Sequence, residues 1–209
     1  MVRQREVIPL GWGDTEVPLH SYVAFYHTND GSVRRSLGFL RTGLDESGTF
    51  CMFLAEQARI PGFLSQLQEG YDGDVGACVE SGKLVAAPWH PNFEGLADAL
   101  MGRIEHALSG GEYVRVRAMG LVAWAAVGWG DAAWLKRCES RINLATSMYP
   151  MVILCTYSLP DLPGLVATGL DPEHPQIVVN DAMGTVTSAV AKAAMTMSRR
   201  FGRRRAGPG

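Results

Sequence analysis

Between His20 and Glu56 the chain reads HSYVAFYHTNDGSVRRSLGFLRTGLDESGTFCMFLAE. Few folds can accommodate this stretch. Ser21 to Tyr26 is a short run of aromatic and β-branched residues, which predicts a buried strand. Asn29-Asp30-Gly31-Ser32 supplies turn and N-cap chemistry. Val33, Leu37, Leu40 and Leu44 share one helical stripe and predict a single helix with one apolar face. Asp45 to Gly48 ends that helix, and Thr49 to Leu54 is a second apolar run of strand length. Two buried strands joined through a helix predict a right-handed βαβ unit in a parallel sheet.

In such a unit the loop after the first strand faces the ligand crevice. Here that loop is Tyr26 to Ser32. A phosphate-binding P-loop needs several glycines, a Lys and a Ser/Thr at fixed spacing. This loop has one Gly and no Lys, and it does not match the dinucleotide fingerprint. The first crossover therefore has the position of a nucleotide-binding loop without its residues.

The rest of the chain continues the alternation. Residues 1–17, with Pro9, Gly11 and Gly13, read as an extended lead-in. Pro61 marks the start of a helix through Gln68. Tyr71 to Ser81 is ambiguous between a short helix and a strand, and Leu84 to Ala87 is a third strand stopped by Pro88. Phe93 to Ser109 keeps an apolar stripe over four turns and ends at Gly110-Gly111. Tyr113 to Ala118, alternating with Arg115 and Arg117, and then Leu121 to Ala126, read as a fourth strand. Ala132 to Met148 reads as a helix ended by Pro150. Met151 to Tyr157 is a continuously apolar fifth strand, buried on both faces. Gln176 to Asn180 is a last short strand. Alternation of this kind predicts a three-layer α/β domain with a mostly parallel sheet over 18–181. A C-terminal helix is expected over 182–201, with a flexible basic tail over 202–209.

Composition narrows the function classes. At 47% hydrophobic and 19% charged, the 209 residues can bury a sizeable core. No apolar run reaches membrane-spanning length and no signal-peptide core opens the chain, so a cytoplasmic protein without a membrane span is expected. Cys51, Cys78, Cys138 and Cys155 form no CxxC pair, and Cys51 and Cys155 fall inside predicted strands, as core thiols do. Charge is unevenly spread. Residues 1–181 carry 13 Lys and Arg against 21 Asp and Glu, a net −8, whereas the remainder carries six basic residues and no acid. Contact with nucleic acid is expected only through that basic end, and Arg199, Arg200, Arg203, Arg204 and Arg205 are its candidate partner-binding residues.

Crevice geometry selects candidate ligand-binding residues, because the C-terminal ends of parallel strands converge on one edge. That edge should hold Tyr26 and His27, Glu56, Trp89 and His90, Trp124 and Tyr157. Aromatic residues with a few polar groups suit an apolar or flat ligand, though the same residues also serve as ordinary rim and core aromatics. His20 should lie at the opposite edge from His27, so the two do not share a metal. No serine nucleophile elbow, HExxH motif or interpretable carboxylate pair is present, and no metal, cofactor or catalytic residue is assigned.

Several short motifs occur in a telling order. They are His20 with Phe25 and Tyr26, Phe39 to Leu44, Ser-Gly-Lys-Leu-Val at 81–85, and Gly120 with Trp124. Glu139 with Ile142 and Asn143, Leu-Cys-x-Tyr at 154–157, and His-Pro-x-Ile-Val at 174–178 follow. In this order, over roughly 18–180, the chain resembles the MEDS family, the methanogen/methylotroph DcmR-type sensory domain. The resemblance implies a RecA/KaiC-like domain that has lost its P-loop. It further implies a sensory role for small organic compounds, with a regulatory protein partner or separate output module. Leu121 stands where the family usually has a Glu. The leading expectation is a non-enzymatic sensor that signals through a partner, with homo-oligomerisation open. The alternatives are a residual nucleotide-binding or ATPase protein and an interaction platform acting through the basic C-terminal helix.

Overall fold

The computed structural model describes residues 6–11, 14–27, 30–88, 93–122, 141, 144–158 and 176–180. A hairpin of β1 (Val7–Pro9) and β2 (Glu16–Pro18) leads into β3 (Ser21–His27). Helices α1 (Asp30–Ser36) and α2 (Gly38–Asp45) precede β4 (Thr49–Ala55). Helices α3 (Ile60–Glu69) and α4 (Val75–Glu80) connect to β5 (Leu84–Pro88). The long α5 (Phe93–Ser109) then leads to β6 (Arg115–Val122), β7 (Met151–Ser158) and β8 (Gln176–Asn180).

Six strands form one sheet in the order β5-β4-β6-β7-β3-β8, and every neighbouring pair is parallel. Helices cover both faces, as a parallel sheet requires. One face packs against α1, α2, α3 and the β1–β2 hairpin through Val23, Phe25, Phe53, Met119, Leu121, Val152 and Leu154. The other face packs against α5 and the helical turn at 144–148 through Phe50, Met52, Val116, Ala118 and Met151. The architecture is therefore the three-layer α/β domain that the alternation predicts. Strand alternation divides the two cores: in β4, Phe50 and Met52 go one way while Cys51 and Phe53 go the other.

Two expectations change and one ambiguity resolves. The strands of the first predicted unit, β3 and β4, share one parallel sheet as predicted, and β6 and β7 lie between them. Sequence order says nothing about how many strands a crossover passes. The predicted single helix over Val33 to Leu44 is two helices, although all four stripe residues are buried as expected. Ser36 Oγ donates to the Val33 carbonyl at 2.6 Å and the Leu37 N–H bonds Arg34 instead of Val33, so the ladder tightens and breaks at Leu37. The segment read as a lead-in is an antiparallel hairpin that buries Ile8, Leu10 and Val17 in the core. The ambiguous stretch before Gly82 resolves as α4, capped by the Asp74 carboxylate accepting from the Ala77 N–H at 3.1 Å.

The ends of β4, β5 and β7 lie one residue beyond the predicted runs, and α5 and β8 have the predicted bounds. The fourth strand is narrower at its start, Arg115 rather than Tyr113. Its predicted continuation past Val122 lies outside the described residues, as does most of the predicted helix 132–148. The predicted C-terminal helix and tail also lie outside them. Among the described residues, no helix is long and apolar enough to cross a membrane.

A cavity between the sheet and the long helix

Connections leave β3 and β4 toward the β5 edge of the sheet, whereas those leaving β6 and β7 run toward the β8 edge. The direction therefore reverses between β3 and β7 and again between β4 and β6. Reversals of this kind open crevices at the strand C-termini.

Tyr26 on β3 pairs in register with Tyr157 on β7, His27 pairs with Ser158, and Tyr157 pairs with Val122 of β6. Leu54 pairs with Gly120, so Glu56, just past β4, continues the same row. Tyr26 and Tyr157 are thus brought side by side. Glu56 shares their level but stands three strand spacings from Tyr26, about 14 Å across the sheet. Trp89, His90 and Trp124 lie outside the described residues, as do Arg199, Arg200, Arg203, Arg204 and Arg205. His20 sits at the other end of β3, as expected. It holds φ at +69°, and its Nδ1–H donates to the Thr146 carbonyl at 2.9 Å, tying the start of β3 to the 144–148 turn. Among the described residues no cluster of three His, Cys, Asp or Glu side chains could hold a metal.

One row down from Tyr157 and Glu56, the sheet floors a cavity of about 330 Å³. Two rows form the floor: Leu54, Gly120 and Cys155, then Met52, Ala118 and Ile153. Met151 closes the bottom. From α5 come Leu100, Met101 and Ile104, and from the opposite helical segment come Leu144, Ala145 and Met148. The strand positions alternate by two, as a single sheet face demands. The helical positions recur at intervals of three and four, as a single helix stripe demands. The floor stays shallow because β6 presents Ala118 and Gly120, which leave room above the strand.

The wall is almost wholly apolar. Polarity is confined to the rim, where Arg141 Nη1 stands 3.9 Å from Asp98 Oδ1 and both side chains are substantially exposed. Leu144 and Met148, 58% and 59% exposed, are large apolar residues on the same rim. Four methionines line the space (Met52, Met101, Met148 and Met151). Their flexible, polarisable thioethers adapt to ligands of irregular shape. A volume of this size suits a small ligand held mainly by apolar contact.

Sequence reasoning located the strand-end row but not this cavity. The signal was present: Phe50, Met52 and Leu54 alternate toward one face, as do Ala118 and Gly120, and the small residues on β6 leave space. Facing helices were needed to turn that space into a pocket.

Sequence reasoning also missed a polar centre on the opposite face. Arg117 of β6 is fully buried. Its Nη2 donates to Glu46 Oε1 at 2.6 Å and its Nε to Glu46 Oε2 at 3.2 Å. Its Nη1 donates to the Pro9 carbonyl at 2.7 Å and to that of Phe39 at 3.4 Å, and the guanidinium lies 5.1 Å from the centre of the Phe39 ring. The alternation of Arg115 and Arg117 with apolar residues could have raised the question, since an Arg on a covered strand needs a partner. Lys83 Nζ donates to the Leu44 carbonyl at 2.5 Å and so caps α2. Cys51, beneath α2, has its thiol pushed up to about 12, first by burial, against the pull of Arg117 and Lys83. This cluster ties β6, α2 and the hairpin together and is built for stability.

A family model described as the methanogen/methylotroph, DcmR sensory domain (MEDS) matches residues 22–175, most of the chain. The search of curated proteins found no match.

Proposed function

The chain belongs to the MEDS family of sensory domains, and on that premise we propose that it binds a small apolar organic compound between its sheet and α5 and passes the signal to a protein partner. The observation that carries this reading is the apolar cavity of about 330 Å³ with charge only at its rim. Among the described residues the lining brings one thiol, Cys155, and the rim pair of Asp98 and Arg141 to it, with no group of metal ligands, and a binding role asks for no more. The cavity floor leads directly, along β7 and β4, to the row of Tyr157, Tyr26 and Glu56. On this reading those three residues, with His27, Trp89, His90 and Trp124, belong to the mouth of the same site. The basic residues Arg199, Arg200, Arg203, Arg204 and Arg205 are the proposed partner contact, and the RecA/KaiC kinship implied by the family resemblance belongs to the same reading.

Thermal shift measurements test it. Small apolar compounds should raise the midpoint of the full chain, and ATP with magnesium should not, because Tyr26 to Ser32 lacks the Lys and backbone nest that cradle phosphates. A shift with ATP and none with any apolar compound would favour the nucleotide-binding alternative instead. Native mass spectrometry of the purified protein would show whether a small molecule co-purifies.

A further inference from the structure

We propose that the ligand class is an uncharged aromatic compound of two fused rings, held as a plate over β6 among sulfur-bearing side chains. This inference rests on the cavity reading above and deepens it. Size comes first. An apolar cavity of about 150 Å³ takes one benzene ring, and the present 330 Å³ is roughly twice that. Two fused rings meet that size. Shape comes second. Ala118 and Gly120 of β6 form the low centre of the floor, between Met52 and Leu54 of β4 and Ile153 and Cys155 of β7. From β4 to β7 the floor spans about 10 Å, and its two rows lie about 7 Å apart along the strands. Small residues between larger ones make a trough along β6. A flat, rigid body can lie against that centre in full van der Waals contact, and it gives up less conformational freedom on binding than a flexible alkyl chain does.

Chemistry comes third. Met52 stands on the floor, Met151 closes the bottom, Met101 comes from α5 and Met148 from the opposite helical segment, and Cys155 adds a fifth sulfur. Sulfur-bearing side chains therefore line the space from the sheet and from both helical walls. Divalent sulfur is polarisable and makes favourable contacts with aromatic rings, often at the ring edge, where the ring quadrupole is positive. A saturated body of the same skeleton gains only dispersion from the same atoms. Hydrogen bonding points the same way. Among the described residues, the Cys155 thiol on the floor is a weak donor, and the charged side chains of the lining, Asp98 and Arg141, belong to the rim. A charged or strongly hydrogen-bonding group held against the floor would lose its water with little return. The ring system is therefore uncharged, and any polar substituent stays at the rim.

The test is calorimetric titration of the full chain at neutral pH with 2-naphthol and its fully saturated analogue, decahydro-2-naphthol. The two share one carbon skeleton and one hydroxyl and differ in aromaticity. The same titrations are made on Met52→Leu, Met101→Leu and Ala118→Val, with melting curves confirming that each variant folds. Exchanging Met for Leu removes the sulfur at nearly constant volume. Naphthol should bind about tenfold tighter than its saturated analogue, the scale of several sulfur–ring contacts. Each Met→Leu substitution should weaken naphthol about threefold and leave the saturated analogue unchanged. Ala118→Val, which raises the floor, should weaken both compounds. The saturated analogue binding as tightly as naphthol would overturn the aromatic assignment and leave the cavity reading intact. So would a preference that survives both Met→Leu substitutions undiminished. Absence of binding by both compounds, or binding indifferent to Ala118→Val, would overturn the cavity reading as well.

Discussion

Arg117 illustrates how a single side chain can be indispensable without being a site. It is a full charge with no solvent exposure, amid leucine and phenylalanine, held by Glu46 and two backbone carbonyls. Arg117→Met should destabilise by about 3–5 kcal/mol in urea unfolding, because Glu46 and the Pro9 carbonyl lose their partner. Adding Glu46→Gln should recover part of that loss but not all, since the Pro9 and Phe39 carbonyls stay unmatched. A single-variant loss below about 1 kcal/mol would mean that the pair contributes little net stability. Gly43 belongs to the same cluster: a Cβ there would meet the side chains of Arg117 and Cys51. The Cys51 thiol supplies a pH prediction. Its value in the folded chain is about 12 against an ordinary 9.0, so the unfolded chain releases this proton first. The corresponding stability is complete below pH 9 and is lost as pH rises toward 12. Tyr71, also pushed up to about 12, chiefly by burial, falls in the upper part of that window. Urea midpoints should therefore drop across this range, and less steeply in Cys51→Ala. Equal slopes in the two proteins would show that Cys51 does not set the decline.

Among the elements, β7 and the hairpin give contrasting tests. Leu154 is fully buried on a strand flanked by β6 and β3. Leu154→Ala should cost about 2–5 kcal/mol, and a loss under about 1 kcal/mol would contradict its central position. The hairpin hangs on a close approach between Gly11, at φ +86°, and the backbone of Gly38, where a Cβ would strike the Gly38 carbonyl. Gly11→Ala should therefore loosen β1 and β2 locally. Hydrogen exchange should show the Leu10 and Leu19 amides, which bond Thr15 and Glu6, exchanging faster while β7 stays protected. Equal acceleration in β7 would mean that hairpin and sheet open as one unit. The Gly11–Gly38 contact also lies beside the break between α1 and α2. Helical periodicity alone could not show that break, because the apolar stripe runs unbroken through it.

For the molecule as a whole, the space between the sheet and α5 is the feature on which the proposed function rests. Ala118→Val should partly fill that space, hold or raise stability by up to about 1 kcal/mol, and weaken the thermal shift given by apolar compounds. A marked loss of stability would show that the floor is already packed tight. The sequence by itself determined the alternation of strands and helices, the burial of the run at 49–54 and of most of 151–156, the absence of a phosphate loop and the family pattern. These are local properties: period, turn chemistry and motif spacing are written along the chain. Tertiary structure alone decided that two other strands separate β3 from β4, that Arg117 meets Glu46 and Pro9, and that residues from β4, α5, β6, β7 and the 144–148 turn enclose one cavity. Each of these depends on which distant segments become neighbours. A parallel sheet takes its strand order from crossover packing, so the cavity forms only once both layers are in place.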